Sequence, residues 1–297
     1  MVAIMNVEIR PGTYVVAVSG GVDSMVLLDV LAQVPGLQLV IAHFEHGVRE
    51  DSDEDLQLVE AAAKHYDLPF IYERGNLGPT ASEAVARAAR YAFLRRVREQ
   101  HAADAIVTAH HKDDLIETAV LNMLRGTGRK GLSSLQSTDE LVRPLLHVPK
   151  QQILNYAGQH HITWHEDSTN QNDTYLRNYI RHTILPRLGD EGRQQLYGYI
   201  EKAQELNPEI DMLLTENLQG KTEISRSWFI ALPYDVSCET MAAWLRQNGI
   251  REFDRKAIER LVVAGKVAQP GKQSDIDAEH FLKVGKTNLC ISLRLTS

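Results

Sequence analysis

Apolar and polar positions follow two rhythms along the first half of the chain. Tyr14–Val18 is a compact apolar run that ends in a Gly-rich turn, and Leu37–His43 is a second of the same kind; both read as buried strands. Between them, Val22 to Gln33 has helical spacing, with Met25, Leu28 and Leu31 on one side. Ser52 to Tyr66 predicts a helix capped by Ser52, with Asp53, Glu54 and Asp55 at the positive end of its dipole. Pro69–Glu73 is a third strand. Thr80-Ala-Ser-Glu83 is a capping box opening an Ala/Arg-rich helix to about His101. Ala105–Ala109 is a fourth strand, and Asp113 to Arg125 a further helix. Strands alternating with helices predict an α/β fold, a doubly wound parallel sheet whose ligands sit at the carboxyl ends of its strands.

After Pro186 the rhythm changes. Gly192 to Leu218 is helical and polar, Pro233 to Gln247 and Asp254 to Val263 are two more helices, and Phe281–Val284 and Asn288–Leu293 alternate like short antiparallel strands. The expected organisation is a first domain over 1–187, a helical linker over 188–218, and a second, smaller, mostly helical α+β domain over 219–297.

Composition narrows the class. With 297 residues, 43% hydrophobic and 24% charged, the chain reads as an ordinary globular protein able to bury a proper core. No run is long and apolar enough to span a bilayer, and the start lacks the pattern of a secretory signal, so a cytoplasmic location and no membrane partner are expected. Cys238 and Cys290 lie far apart, outside any CxxC, which predicts reduced thiols. The net charge of −7 weighs against coating nucleic acid by bulk electrostatics. Charge is uneven, however: five arginines crowd Arg87 to Arg98, and Arg125, Arg129, Lys130, Arg177, Arg181 and Arg187 follow, so any RNA binds a local patch.

The strongest chemical signal is Ser19-Gly20-Gly21-Val22-Asp23-Ser24, directly after a strand and opening a helix. Glycines let the backbone turn sharply, and successive amides at a helix N-terminus make a concave anion site. The Ser19 and Ser24 hydroxyls add donors, and Asp23 could orient Mg2+ or the loop itself; a merely well-capped turn is the plainer reading. Two look-alikes fail on context. Gly126-Thr-Gly128-Arg-Lys-Gly131 fits GxGxxG but follows a helix. Gly265 to Lys272 resembles a Walker loop with one residue too many and no Ser/Thr after its lysine.

A second constellation, His110-His111-Lys112-Asp113-Asp114 followed by Glu117, lies where the fourth strand gives way to a helix. Its carboxylates could bind Mg2+ or accept a proton, and His110 could contact phosphate or a base; read alone it could also be a transition-metal site or a polar helix cap. A third, Glu83, Arg87 and Arg90, forms one helical stripe suited to phosphate, or a solvated face laced by i,i+4 pairs.

The SGGVDS motif resembles the signature of the PP-loop family, the N-type ATP pyrophosphatases. Further blocks resemble the tRNA(Ile)-lysidine synthetase family: AHFEHGVR (Ala42–Arg49), EAVARAARY (Glu83–Tyr91), AHHKDDLIET (Ala109–Thr118), NMLRGTGRKGL (Asn122–Leu132), RPLL (Arg143–Leu146), Trp164 with Asp167 and Asn170, and RNYIRHTILP (Arg177–Pro186). Together they cover roughly residues 14–187. The resemblance implies an adenine nucleotide alpha hydrolase-like fold in which ATP, with Mg2+, adenylylates the C2 oxygen of the wobble cytidine of tRNA(Ile) with a CAU anticodon; L-lysine then displaces AMP. It implies that Ser19, Gly20, Gly21, Val22, Asp23 and Ser24 bind ATP phosphates, and that Ala42 and His43 line the nucleotide pocket. Asp23, Arg87, Arg90, His110, Asp113 and Asp114 would carry activation and the lysine site, with Glu117 in support and Mg2+ on Asp23 and Asp113. Arg125, Arg129, Lys130, Arg177, Asn178 and Arg181 would contact tRNA or close the site.

The chain departs from the family form in having Leu115 where HHxDDQxET carries Gln. Residues 219–297 match only the smaller domain after the catalytic one, so no additional acceptor-stem domain is expected, and helices of the 191–218 stretch are candidates for pairing in a homodimer. The rivals are a tRNA thiolase, disfavoured because no cysteine precedes Cys238, an ammonia-using synthetase, and a tRNA- or nucleotide-binding module without catalysis.

Overall fold

The computed structural model describes residues 7–45, 52–75, 83–165 and 176–294. The expectations for Arg49, Thr80, Asp167 and Asn170, and for the side chains of Ser52 and Glu83, lie outside the described residues. The chain forms two compact units, one of Met1–Asn122 with Ser133–Gly198, the other of Met123–Leu132 with Tyr199–Ser297.

In the first unit β1 (Gly12–Ala17), β2 (Leu37–Glu45), β3 (Phe70–Arg74), β4 (Ala105–Val107) and β5 (Leu141–Val142) form one parallel sheet in the order β3-β2-β1-β4-β5. Val16 is paired on both sides, with Ile41 of β2 and Val107 of β4. The chain winds outward from β1 to β3, then crosses back to place β4 on the other flank of β1. The connections leaving β1 and β4 therefore diverge, and that reversal opens a crevice at the strands' carboxyl ends.

Helices α1 (Val22–Ala32), α2 (Ser52–His65), α3 (Glu83–Gln100), α4 (Lys112–Leu124), α5 (Arg129–Leu132) and α6 (Lys150–Gln159) connect the strands or follow them. Strand alternation sorts the two faces. Tyr14, Val16 and Val18 pack with α1, with Val59 and Ala63 of α2, and with Ile153, Tyr156 and Ala157 of α6. Val15, Val40 and Ala42 pack with Tyr91, Phe93, Leu94 and Val97 of α3. The one-sided helix expected after the first turn is buried nearly all round, since Val26, Leu27 and Val30 are covered as well as Met25, Leu28 and Leu31. Asp29 anchors its neighbours: it accepts hydrogen bonds from Tyr66 at 2.5 Å and from Tyr156 of α6 at 2.7 Å. Beyond α7 (Leu176–Tyr179) a π-helical turn, Ile180–Ile184, leads into α8 (Leu185–Leu218), which is kinked at Gly189, where φ is +62°.

The second unit has an antiparallel sheet, β6 (Glu223–Ser225), β7 (Gln273–Asp275), β8 (His280–Val284) and β9 (Asn288–Leu293), in the order β6-β9-β8-β7. It shares a core with α9 (Arg226–Ala231), α10 (Tyr234–Gln247) and α11 (Arg255–Val267), where Phe229, Trp244, Leu261 and Leu289 are fully buried. Gly265 of the Walker-like stretch is a packing residue of α11: a Cβ there would sit 3.0 Å from both Phe229 and Leu289. Among the described residues no helix is long and apolar enough to cross a membrane.

Candidate active site

The turn after β1 is built for glycine. Gly20 has φ +89°, and a Cβ on it would lie 3.1 Å from Asp55 Oδ1. Gly21 caps α1 with extended backbone, leaving the amides of Gly20, Gly21, Val22 and Asp23 ahead of the first intrahelical bonds. Ser24, expected as a phosphate donor, braces the turn: its hydroxyl donates to Gly21 O at 2.9 Å and accepts from the Ser19 amide at 3.1 Å. Two residues outside the expected site set, His165 and Asp55, steady Gly20. The His165 amide donates to Gly20 O at 3.1 Å, and its Nδ1 lies 2.9 Å from Asp55 Oδ1.

At the end of β2, the Ala42 carbonyl accepts the Val18 amide at 3.0 Å. His43 is 3% exposed and donates from Nδ1 to Val18 O at 2.8 Å. Burial lowers its pKa, so the ring is neutral, and among the described residues the buried acceptor Nε2 has no partner. The Tyr72 ring stacks on it at 5.9 Å.

The end of β4 supplies the other half. His111, absent from the expected site set, stands at its centre and is buried. Nε2 lies 3.7 Å from Asp23 Oδ2 and 3.5 Å from Asp114 Oδ2, and Nδ1 lies 3.6 Å from Asp113 Oδ2. The Asp113 amide donates to Nδ1 at 3.3 Å, which turns Nε2 toward the Asp23 and Asp114 carboxylates. One buried imidazole thus joins the acid of the β1 turn to both acids of α4. Lys150, also unforeseen, adds a second link: Nζ is 2.6 Å from Asp23 Oδ1 and its amide donates to Asp113 Oδ2 at 2.9 Å. Burial alone would raise the Asp114 pKa, but His111, His110, the His111 amide and Arg181 together hold it below the usual carboxylate range.

His110 turns the other way, with Nδ1 2.8 Å from Thr108 Oγ1. Burial pushes its pKa down to about 3, and Arg143, Arg87 and Arg90 press in the same direction against Asp114. The Arg87 and Arg90 guanidinium carbons lie 4.9 and 5.5 Å from the Tyr91 ring centroid.

The remaining expected residues divide. Arg181 joins the site, donating from Nε and Nη2 to the buried Glu117 and lying 3.6 Å from Asp114 Oδ1. Arg177 and Asn178 are half-buried in α7, and Arg125 is exposed at the end of α4. Arg129 and Lys130 are held within the second unit: Arg129 meets Asp211 at 2.5 Å, Asn207 Oδ1 at 2.6 Å and Glu239 at 3.1 Å, and Lys130 meets Asp211 at 2.8 Å. Gly126, first of the GxGxxG glycines, takes φ +71° just after α4.

A strand-to-helix anion cradle and an acid cluster sharing the switch point of a doubly wound sheet define a class of phosphate-handling α/β proteins. The PP-loop domain matches residues 4–188, and the chain belongs to that family. Relatives named tRNA(Ile)-lysidine synthase include one from Enterococcus faecalis, 40% identical over 195 residues, covering 62% of this chain and 42% of that protein. Another, from Lactiplantibacillus plantarum, is 31% identical over 278 residues, covering 87% of this chain and 62% of that protein. The chain spans less than two thirds of the length of either relative. In fold it is similar to the U34-tRNA thiolase NcsA from Methanococcus maripaludis, with TM-score 0.56 and 16% identity over 67% of this chain and 73% of that one.

Proposed function

We propose that the chain uses ATP to adenylylate the C2 oxygen of the wobble cytidine of tRNA(Ile) with a CAU anticodon, and joins L-lysine to that carbon with release of AMP and pyrophosphate. The observation that carries the reading is the bridge from Asp23 through His111 to Asp113 and Asp114, which makes the anion cradle and the acid cluster one site. The amides of Gly20 to Asp23 receive the phosphates, and Lys150 shifts from Asp23 to the departing pyrophosphate. His43 Nε2 offers an acceptor to the nucleotide at the end of β2.

The donor set suits Mg2+. Four carboxylates, Asp23, Asp113, Asp114 and Glu117, face two fixed cations, Lys150 and Arg181. Mg2+ takes one or two carboxylates and fills its shell with water and phosphate oxygens, and Asp23 and Asp113 would hold it and so neutralise charge on the phosphates. Arg87 and Arg90 face the charge that develops at the α-phosphate. Arg177 and Asn178 of the first unit would contact tRNA with Arg181 ordering their surroundings, and Arg125 of the second unit would contact it by itself, with Arg129 and Lys130 ordering the chain around it. Both cysteines lie in the second unit, where burial raises their pKa values, which disfavours sulfur transfer. Exposed Tyr199, Leu206 and Leu213, seven apart on α8, support pairing of two copies, and a cytoplasmic location completes the reading.

Full-length protein incubated with ATP, a tRNA(Ile) transcript and labelled lysine tests it. Label should enter the RNA as AMP and pyrophosphate appear in step. Product formation from ammonia or a sulfur donor in place of lysine would overturn it.

A further inference from the structure

The start of α6 has no capping side chain of its own, because its N-cap is Pro149. Asp113 of α4 takes that place: its Oδ2 accepts the Lys150 amide at 2.9 Å. In return the Lys112 amide, first of α4, donates to Val148 O at 3.0 Å. The two helix starts thus satisfy each other's first free amide. Each also presents a group to the acid cluster, Asp113 from α4 and, from α6, Lys150 Nζ, 2.6 Å from Asp23 Oδ1. One side chain of α8 reaches both starts. Tyr197 is 6% exposed. Its hydroxyl lies 2.7 Å from His147 Nδ1, in the turn just before α6, and the Lys112 ammonium sits 3.6 Å from its ring centroid. Gln194 Oε1, one turn earlier on α8, accepts from the same ammonium at 3.0 Å. A buried tyrosine hydroxyl needs a polar partner, and a cation over a ring face is held more firmly the less water reaches it. The approach of α8 is itself fixed, since Arg193 donates to Leu185 O across the Gly189 kink at 3.1 Å.

We propose that Tyr197 is a positioning residue, which holds the starts of α4 and α6 in register so that Asp113 and Lys150 meet a bound phosphate chain together. It touches neither reactant. The proposal rests on the reading above that Asp113 carries Mg2+ and Lys150 receives pyrophosphate. A lysine ammonium on its flexible stem finds a ligand only as reliably as its backbone is placed, and a small displacement at such a site is costly. The His147 and Lys112 contacts converge on one shielded aromatic side chain, so the turn before α6 and the first residue of α4 move as one body. Both groups they place serve the phosphate end of the nucleotide and neither serves its adenosine end.

Calorimetric titration of the full chain with inorganic pyrophosphate and with AMP, both in the presence of Mg2+, tests it. Tyr197→Phe, which keeps the ring and deletes the hydroxyl, should raise the Kd for pyrophosphate by about 3- to 10-fold, the scale of one hydrogen bond, and leave that for AMP unchanged. Tyr197→Leu should raise it by a further ~2- to 5-fold through the lost contact between cation and ring. With Lys150→Gln already in place, Tyr197→Phe should add a rise of about 2-fold or less, because the group it positions is gone. Thermal melting identifies a variant that fails to fold, and His147→Ala then deletes the same hydrogen bond from its exposed partner. Equal weakening of both ligands, no change in either, or a full Tyr197→Phe effect in the Lys150→Gln protein would overturn the positioning role and leave the phosphate reading in place. If the wild type binds no pyrophosphate, the reading of the cradle fails and the positioning role falls with it.

Discussion

Arg181 and Glu117 form a two-pronged ion pair, Nε to Oε1 at 2.5 Å and Nη2 to Oε2 at 2.9 Å, although the Glu117 side chain is only 2% exposed. Arg181 stands in the π-helical turn between α7 and α8, a local irregularity of a kind that often marks functional sites. Burial raises the Glu117 pKa even with Arg181 opposing it, so the carboxylate depends on its partner. Arg181→Gln should lower stability by about 3–5 kcal/mol, because it leaves a buried charge unpaired. Adding Glu117→Gln should recover part of the loss. Urea melts of the single and double variants check both; a single-variant loss below about 1 kcal/mol would match an exposed pair instead.

Gly20→Ala should damage the anion cradle through two separate effects. A left-handed residue with a Cβ costs roughly 1–2 kcal/mol, and the new methyl would press on Asp55 Oδ1 at 3.1 Å. The nucleotide Kd, measured by calorimetry, should rise at least about 10-fold. Unchanged affinity would show that phosphates do not use this turn.

His110 predicts a pH dependence of stability. Its folded pKa of about 3 lies below the ordinary 6.5, so between those values the unfolded chain binds a proton that the folded chain refuses. Its contribution is complete above pH 6.5 and is lost as pH falls toward 3. Denaturant melts at pH 7 and pH 5 should show a smaller acid loss for His110→Gln than for the wild type; equal losses would mean the ring takes up its proton in the folded state.

Arg125 and Arg129 should separate RNA contact from folding. Arg125 is exposed, whereas the Arg129 side chain is 16% exposed and paired. Arg125→Ala should flatten the salt dependence of tRNA binding by about one phosphate contact. Arg129→Ala should leave that slope alone and lower stability by about 1–3 kcal/mol. Filter binding across a salt series, beside thermal melts, reads both.

Legibility in the sequence tracked element length and locality. The strand, turn and helix over Tyr14 to Gln33 could be read because the signal is contiguous and the β1 and α1 residues obey one rhythm. β5 has two residues and β6 three, too few for any period to register. His111 lost to His110 because neighbours on a strand end look equivalent until the backbone turns one inward. Lys150, Asp55 and His165 reach the β1 turn from far along the chain, and no local spacing announces that. The bond from the Ser24 hydroxyl to Gly21 O, by which it braces the turn, leaves no mark in the sequence. Likewise Arg129 and Lys130 looked like a basic loop, since their partner Asp211 is about eighty positions away.

That pairing bears on how the protein can be taken apart. Met123–Leu132 belongs to the second unit, yet it interrupts the first between Asn122 and Ser133. Truncation after Gly198 would remove Asn207, Asp211 and Glu239 together and strand Arg129 and Lys130 of α5 without their counter-charges, a few residues beyond the helix that carries Asp113, Asp114 and Glu117. The two halves are thus not modules that recombination could trade with a single splice, and deletions meant to isolate the catalytic part must also redesign those ten inserted residues.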